Sequence, residues 1–296
     1  MKQHRRYMSN ILKIPFNKVR KEVNYKELLD AIERGFNRFG IDFYLVGATA
    51  RDVWMRGVHG VTPKRATSDL DFAIMLKDSE QFGELKKYLI EVEGFLPYKE
   101  NAFVLIWKDR TQVDLIPFGD LEKEGIVTVK GTGFTSMNVE GVREVFEEAS
   151  AEIQIDDNTQ FKVCTLSGIV VLKLIAWDDR PEVRGDDIDD IADILRHYFR
   201  FNSEAIWEKH FDLFVDDAGL DEIASQYLGR EIGKIVIKNS KLKDRILDIL
   251  KRGISDTKSN GLDELLAKKL DNTIEFCRSL ISHVICGIKD TSGNNV

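Results

Sequence analysis

Cysteine is scarce in this chain of 296 residues, with only Cys164, Cys277 and Cys286. An odd set without zinc-ligand spacing excludes a disulfide framework and a structural zinc site. Its placement in apolar runs reads as buried free thiols in a reducing cytoplasm. The five histidines are scattered and form no metal cluster. No apolar run reaches the ~18 residues of a membrane span. The N-terminus is basic with no apolar core behind it, so neither secretion nor a membrane partner is indicated. Internal repeats are missing too.

What is present is the composition of a soluble globular protein, 43% hydrophobic and 31% charged, with a formal net charge of -7. That length can bury a sizeable core, as two domains or as one domain with a helical extension. The charge is unevenly spread. Residues 1 to 26 carry Lys2, Arg5, Arg6, Lys13, Lys18, Arg20, Lys21 and Lys26 against Glu22 alone. A second basic segment runs from Arg230 to Arg252. Either could follow a nucleic-acid backbone. The second lacks interleaved aromatics and reads as a solvated helix face.

Chemistry concentrates between Leu45 and Ile74, in LVGATARDVWMRG followed by TSDLDFAI. Asp69 and Asp71 lie two apart on an expected strand, which puts them on one face about 6.6 Å apart. Leu70 and Phe72 point to the other face. Like charges held so close raise each other's pKa unless a cation lies between them, so the pair reads as a site for a divalent metal. Upstream, Gly47 allows close approach of the backbone, and a helix starting near Ala48 turns its free N–H groups toward phosphate. Thr49 offers a hydroxyl, Arg51 a charge, and Asp52 favours the helix start. Arg65, Thr67 and Ser68 add a charge and small donors at the mouth of the strand. A metal pair beside a phosphate cradle suits phosphoryl or nucleotidyl transfer.

GATARD followed by TSDLDFAI resembles the signature of the polymerase-beta-like nucleotidyltransferase superfamily, with Ala48 where a second Gly or a Ser is usual. The resemblance implies magnesium or manganese as cofactor and a third metal carboxylate from a later strand. The best match is Asp114, on the polar face of the alternating run 111 to 117. Asp109, in a hairpin-like Lys-Asp-Arg, is the weaker candidate.

A second constellation lies downstream. From Leu166 to Trp177 the chain is apolar nearly all round a helix, and Lys173 is its only charge. An enclosed ammonium needs partners, so it reaches toward carboxylates or toward a triphosphate. Arg180 follows two helical turns along the same face, before Pro181 ends the helix. The next helix, from Arg184 to Leu195, is acidic and amphipathic. Most of its aspartates read as a solvated face or as partners of Arg184 and Arg196. The order Lys, Ala, Arg, then Asp-x-x-Asp-Ile resembles AbiEii-type nucleotidyltransferases, the toxin halves of abortive-infection toxin–antitoxin pairs. By that resemblance Lys173 matches a nucleotide-binding lysine and Asp187 a functional aspartate. A nucleoside triphosphate is the implied substrate, the end of a transfer RNA an implied acceptor, and a cognate antitoxin an implied partner. CCA-adding enzymes, antibiotic nucleotidyltransferases and a non-catalytic nucleotide-binding protein share parts of the pattern.

The expected fold is α/β: a small mixed sheet with flanking helices, then a helical domain. The expected divisions are a basic segment at 1–24, a catalytic domain at 25–164 and helices at 165–296. Within these, 120 to 164 reads as short strands and loops. The later helices are expected at 165–179, 184–200, 203–214, 219–238, 241–252 and 261–286.

Overall fold

The computed structural model describes residues 12–14, 25–64, 67, 69–108, 110–155, 159–214, 218–255 and 261–293. Helix α1 (Tyr25–Phe39) buries Leu28, Leu29, Ile32 and Phe36, the helically spaced apolar positions, and ends at Gly40, whose φ is 59°. Strand β2 (Phe43–Val46) leads into the short helix α2 (Gly47–Asp52), which continues as a π-helical turn, Val53–Val58. Then come β3 (Leu70–Leu76) and α3 (Ser79–Glu91), the latter capped by Asp78, whose carboxylate accepts from the Gln81 N–H at 2.8 Å. Strands β4 (Leu96–Pro97), β5 (Val104–Ile106) and β6 (Gln112–Gly119) follow. A separate hairpin comprises β7 (Ile126–Thr128) and β8 (Ser136–Asn138).

The segment 120 to 164 is more ordered than expected. It contains α4 (Val142–Glu148), β9 (Ser150–Ile155) and β10 (Thr159–Cys164). With β1 at Leu12–Ile14, strands β9 and β10 join the main sheet, whose order is β1-β9-β10-β2-β3-β6-β5-β4. Its neighbours are part parallel and part antiparallel, so the sheet is mixed. Strand β1 pairs in parallel with β9. Part of the basic N-terminal segment is therefore a strand of the sheet, while most of that segment lies outside the described residues.

After β10 the chain is helical: α5 (Leu166–Asp179), α6 (Gly185–Lys209), α7 (Leu220–Val236), α8 (Ser240–Arg252), α9 (Leu262–Leu270) and α10 (Ile274–Gly293). Two expected boundaries move. The helices expected at 184–200 and 203–214 are one helix, α6, because the Asn202 amide donates to the Tyr198 carbonyl one turn back and Ile206 continues the buried stripe. The helix expected over 261–286 is two helices, because Asp271 adopts a left-handed conformation at φ 57° and Thr273 caps the next helix by accepting from the Phe276 N–H. Cys164 and Cys277 are buried, but Cys286 is exposed, since α10 turns Ile281, Val284, Ile285 and Ile288 inward instead. Among the described residues no helix is long and apolar enough to cross a membrane.

The second basic segment is matched by anions. Arg230 pairs with Asp212 and Asp290, Lys238 with Glu148, Arg245 with Glu140 and Asp179, and Arg252 with Asp178 and Asp248. Arg245 and Arg252 tie α8 to α5, and Lys238, just past the end of α7, reaches Glu148 of α4.

Candidate active site

The site forms beside α2, where β2 ends and β3 and β6 begin. Strand β3 alternates as its sequence requires, burying Leu70, Phe72 and Ile74 and presenting Asp71 on the other face. Strands β3 and β6 run parallel with Asp71 in register with Asp114, while Val46 of β2 lies opposite Asp71 on the other side. Two carboxylates from strands 43 residues apart are thus neighbours. Enclosure pushes Asp71 up to about 7, reinforced by the charges of Asp114 and Asp69 and opposed by Lys173 and Arg184. Asp114 rises to about 6, again mainly through enclosure, against a 2.8 Å hydrogen bond donated by the Gln112 amide.

Gly47 adopts φ +68°, and a β-carbon there would lie 2.1 Å from Oδ2 of Asp71. The bare backbone at this turn therefore makes room for a carboxylate of the site itself. Ala48 is buried at the start of α2. The Thr49 hydroxyl is buried and donates to the Asp69 carbonyl at 2.8 Å. It holds the chain just ahead of β3. The Thr67 hydroxyl accepts from the Asp69 N–H at 3.3 Å. Arg65, Ser68 and Asp109 lie outside the described residues.

Lys173 comes into this site from α5. Its ammonium donates to Oδ1 of Asp187 at 2.6 Å and lies 2.7 Å from Oδ2 of Asp190, although only the Asp187 contact has hydrogen-bond geometry. Burial lowers its pKa, against the charges of Asp187 and Asp71. Asp190 is fully enclosed, and its other oxygen, Oδ1, accepts from Arg51. Arg51 is itself fully enclosed and forks onto Oδ1 of Asp52 at 3.0 and 2.6 Å. Its guanidinium is thus set among carboxylates, away from solvent. Arg180 caps the end of α5, exposed, with its guanidinium 5.8 Å from the centre of the Phe134 ring.

Sequence reasoning passed over two members of this cluster. In sequence Asp190 reads as one of the solvated aspartates of α6, yet it lies i+3 from Asp187 on the inward face. Arg184, expected only as an aspartate partner, sits 3.9 Å from Oδ2 of Asp187 and lowers the pKa of both Asp71 and Asp114. The spacing Asp187-x-x-Asp190 was the available signal for the first. Nothing in the sequence ties Arg184 to Asp71.

The arrangement is a carboxylate pair on adjacent strands with an ammonium and guanidinium groups beside it. Residues 28–278 match the model of the family described as nucleotidyl transferase AbiEii toxin, type IV toxin–antitoxin system. The chain belongs to that family. As an AbiEii family member it is a nucleotidyltransferase. Among curated proteins none matches. Two solved structures of the antibiotic-resistance factor ANT(2'')-Ia are similar to this AbiEii chain. The solution structure is 15% identical with a TM-score of 0.39, covering 76% of this chain and 95% of that one. The crystal structure, with adenylyl-2''-tobramycin, is 16% identical with a TM-score of 0.38, covering 76% and 99%. The CD-NTase CdnG of Bradyrhizobium diazoefficiens, in complex with GTP, is 12% identical with a TM-score of 0.32, covering 95% and 94%.

Proposed function

We propose that this nucleotidyltransferase moves a nucleoside monophosphate from a nucleoside triphosphate to the end of an RNA, a transfer RNA being the favoured acceptor, in a reaction that uses magnesium or manganese. The observation that carries this reading is the in-register pair Asp71 and Asp114, enclosed enough to raise both pKa values, with the Lys173 ammonium beside it. Among the described residues no three His, Cys, Asp or Glu side chains already surround one point. The donor set still suits magnesium, which is commonly held by one or two carboxylates with waters and substrate phosphates completing its shell. Asp71 and Asp114 would supply those carboxylates, with Asp69 as the third. When bound, the ion neutralises phosphate charge and polarises the reacting phosphorus.

The acceptor oxygen forms a bond to the α-phosphorus as the bond from that phosphorus to the bridging oxygen breaks, and pyrophosphate leaves with the electron pair. The acceptor proton passes to Asp114, the carboxylate in register with Asp71 on the neighbouring strand. Lys173 and Arg180 serve the triphosphate, joined by Arg184, whose guanidinium acts on both metal carboxylates. Gly47, Ala48 and Thr49 shape the backbone beside it, and the Thr67 hydroxyl accepts from the Asp69 N–H. Asp187 holds Lys173 in place. The type IV description implies an antitoxin partner.

A transfer assay with each of the four labelled triphosphates against total RNA, protein and small molecules tests this reading. Label in RNA that depends on Asp71 and on a divalent metal is the expected result. Label in small molecules alone would replace the acceptor, and no transfer with any triphosphate would remove the reading.

A further inference from the structure

The buried charges next to the carboxylate pair do not end at Lys173. Asp190 is shared between two cations, with Oδ1 accepting from Arg51 and Oδ2 lying 2.7 Å from the Lys173 ammonium. Both Arg51 and Asp190 are fully enclosed, so water does little to screen either. The ion pairs of this cluster set Arg51, Lys173 and Arg184 against Asp52, Asp187 and Asp190, three cations and three anions. Arg51 and Asp52 belong to α2, which begins at Gly47, whereas Asp187 and Asp190 belong to α6. Lys173, from α5, meets both carboxylates of α6.

A triphosphate brings several negative charges to this place. Two carboxylates closing on one ammonium cancel it and leave a net anion facing an anionic substrate. A guanidinium that takes half of one carboxylate prevents that. We propose that Arg51 is a positioning residue which acts through Asp190 on Lys173, taking up part of that carboxylate's charge so that the lysine's ammonium is not fully compensated by its neighbours and attracts the triphosphate. The proposal rests on the reading of Lys173 as a triphosphate ligand. It gives Arg51 a role without contact to phosphate, and it gives Asp190 the opposite sign. Removing the cation weakens triphosphate binding, whereas removing the anion does not.

The test is calorimetric, with ATP, GTP, CTP and UTP in the presence of magnesium, the tightest binder being carried through the variants. Each variant's fold is checked by its melting curve. Arg51→Met is expected to weaken binding about ten-fold, the scale of one unscreened charge at this range. Arg51→Lys, which keeps the charge, stays within about three-fold. Asp190→Asn, with the same shape and no charge, binds at least as tightly as the wild type, and adding it to Arg51→Met restores affinity. If Arg51→Met does not fold, Asp190→Asn and the double variant carry the sign test. A purely structural Arg51–Asp190 tie gives unchanged affinity in every folded variant, and that result overturns the proposal, as does weaker binding in Asp190→Asn. Lys173→Gln separates the two levels: undiminished affinity there overturns the reading of Lys173, whereas loss there with an inert Arg51→Met overturns only the part given to Arg51.

Discussion

A β-carbon on Gly47 would sit 2.1 Å from Oδ2 of Asp71, so the turn that opens α2 and the carboxylate on β3 exclude a side chain between them. The φ of +68° at Gly47 adds a second reason for glycine, because L side chains rarely adopt it. Gly47→Ala is therefore expected to displace Asp71, cutting nucleotide transfer at least about ten-fold and costing about 1–3 kcal/mol of stability. Transfer rate and denaturant midpoint measure both. Wild-type transfer in this variant would show that Asp71 does not need its observed position.

Asp71→Asn removes one member of an enclosed like-charged pair while keeping its shape. Transfer is expected to fall about a hundred-fold or more. The melting temperature at pH 7.5 should hold or rise, because the repulsion from Asp114 is gone. A variant that transfers normally would take Asp71 out of the site, whatever its stability.

The raised values of Asp71 and Asp114, about 7 and about 6, give the metal-free protein a pH dependence of definite sign. Both folded values lie above the ordinary 3.8, so the folded state takes up protons more readily than the unfolded chain. Their contribution to stability is complete below about pH 4 and is lost as pH climbs through about 6 and then about 7. Magnesium or manganese competes with those protons, so the metal-induced rise in melting temperature should be larger at pH 7.5 than at pH 5.5. Equal shifts at the two pH values would mean that the metal binds elsewhere.

An RNA acceptor makes binding fall steeply with salt, because each phosphate contact releases counterions. The basic residues Lys2, Arg5 and Arg6 precede β1, which begins at Leu12 and pairs with β9. Deleting residues 1 to 11 spares that strand and is expected to flatten the salt dependence of RNA affinity while leaving triphosphate affinity intact. An unchanged salt slope would assign RNA capture to another surface.

By itself the sequence determined the elements whose signals are local. The apolar spacing of Leu28, Ile32 and Phe36 made α1, the alternation around Asp71 made β3, and the lone Lys173 in an apolar helix marked a charge in need of partners. It did not determine how distant segments meet. The register of Asp71 with Asp114 depends on strand pairing across 43 positions, and the insertion of β9 and β10 between β1 and β2 depends on pairings equally remote. The use of Arg51 was likewise decided by tertiary structure. In sequence it is a charge in the first turns of a helix after a glycine, where a phosphate would suit it. Folding brings Asp190 against it from 139 positions away, and a buried guanidinium settles on the carboxylates that can neutralise it where water cannot. The same packing drew Asp190 out of an acidic run that reads as solvated, because helix periodicity turns it inward with Asp187 only once α5 and α2 are there to meet it.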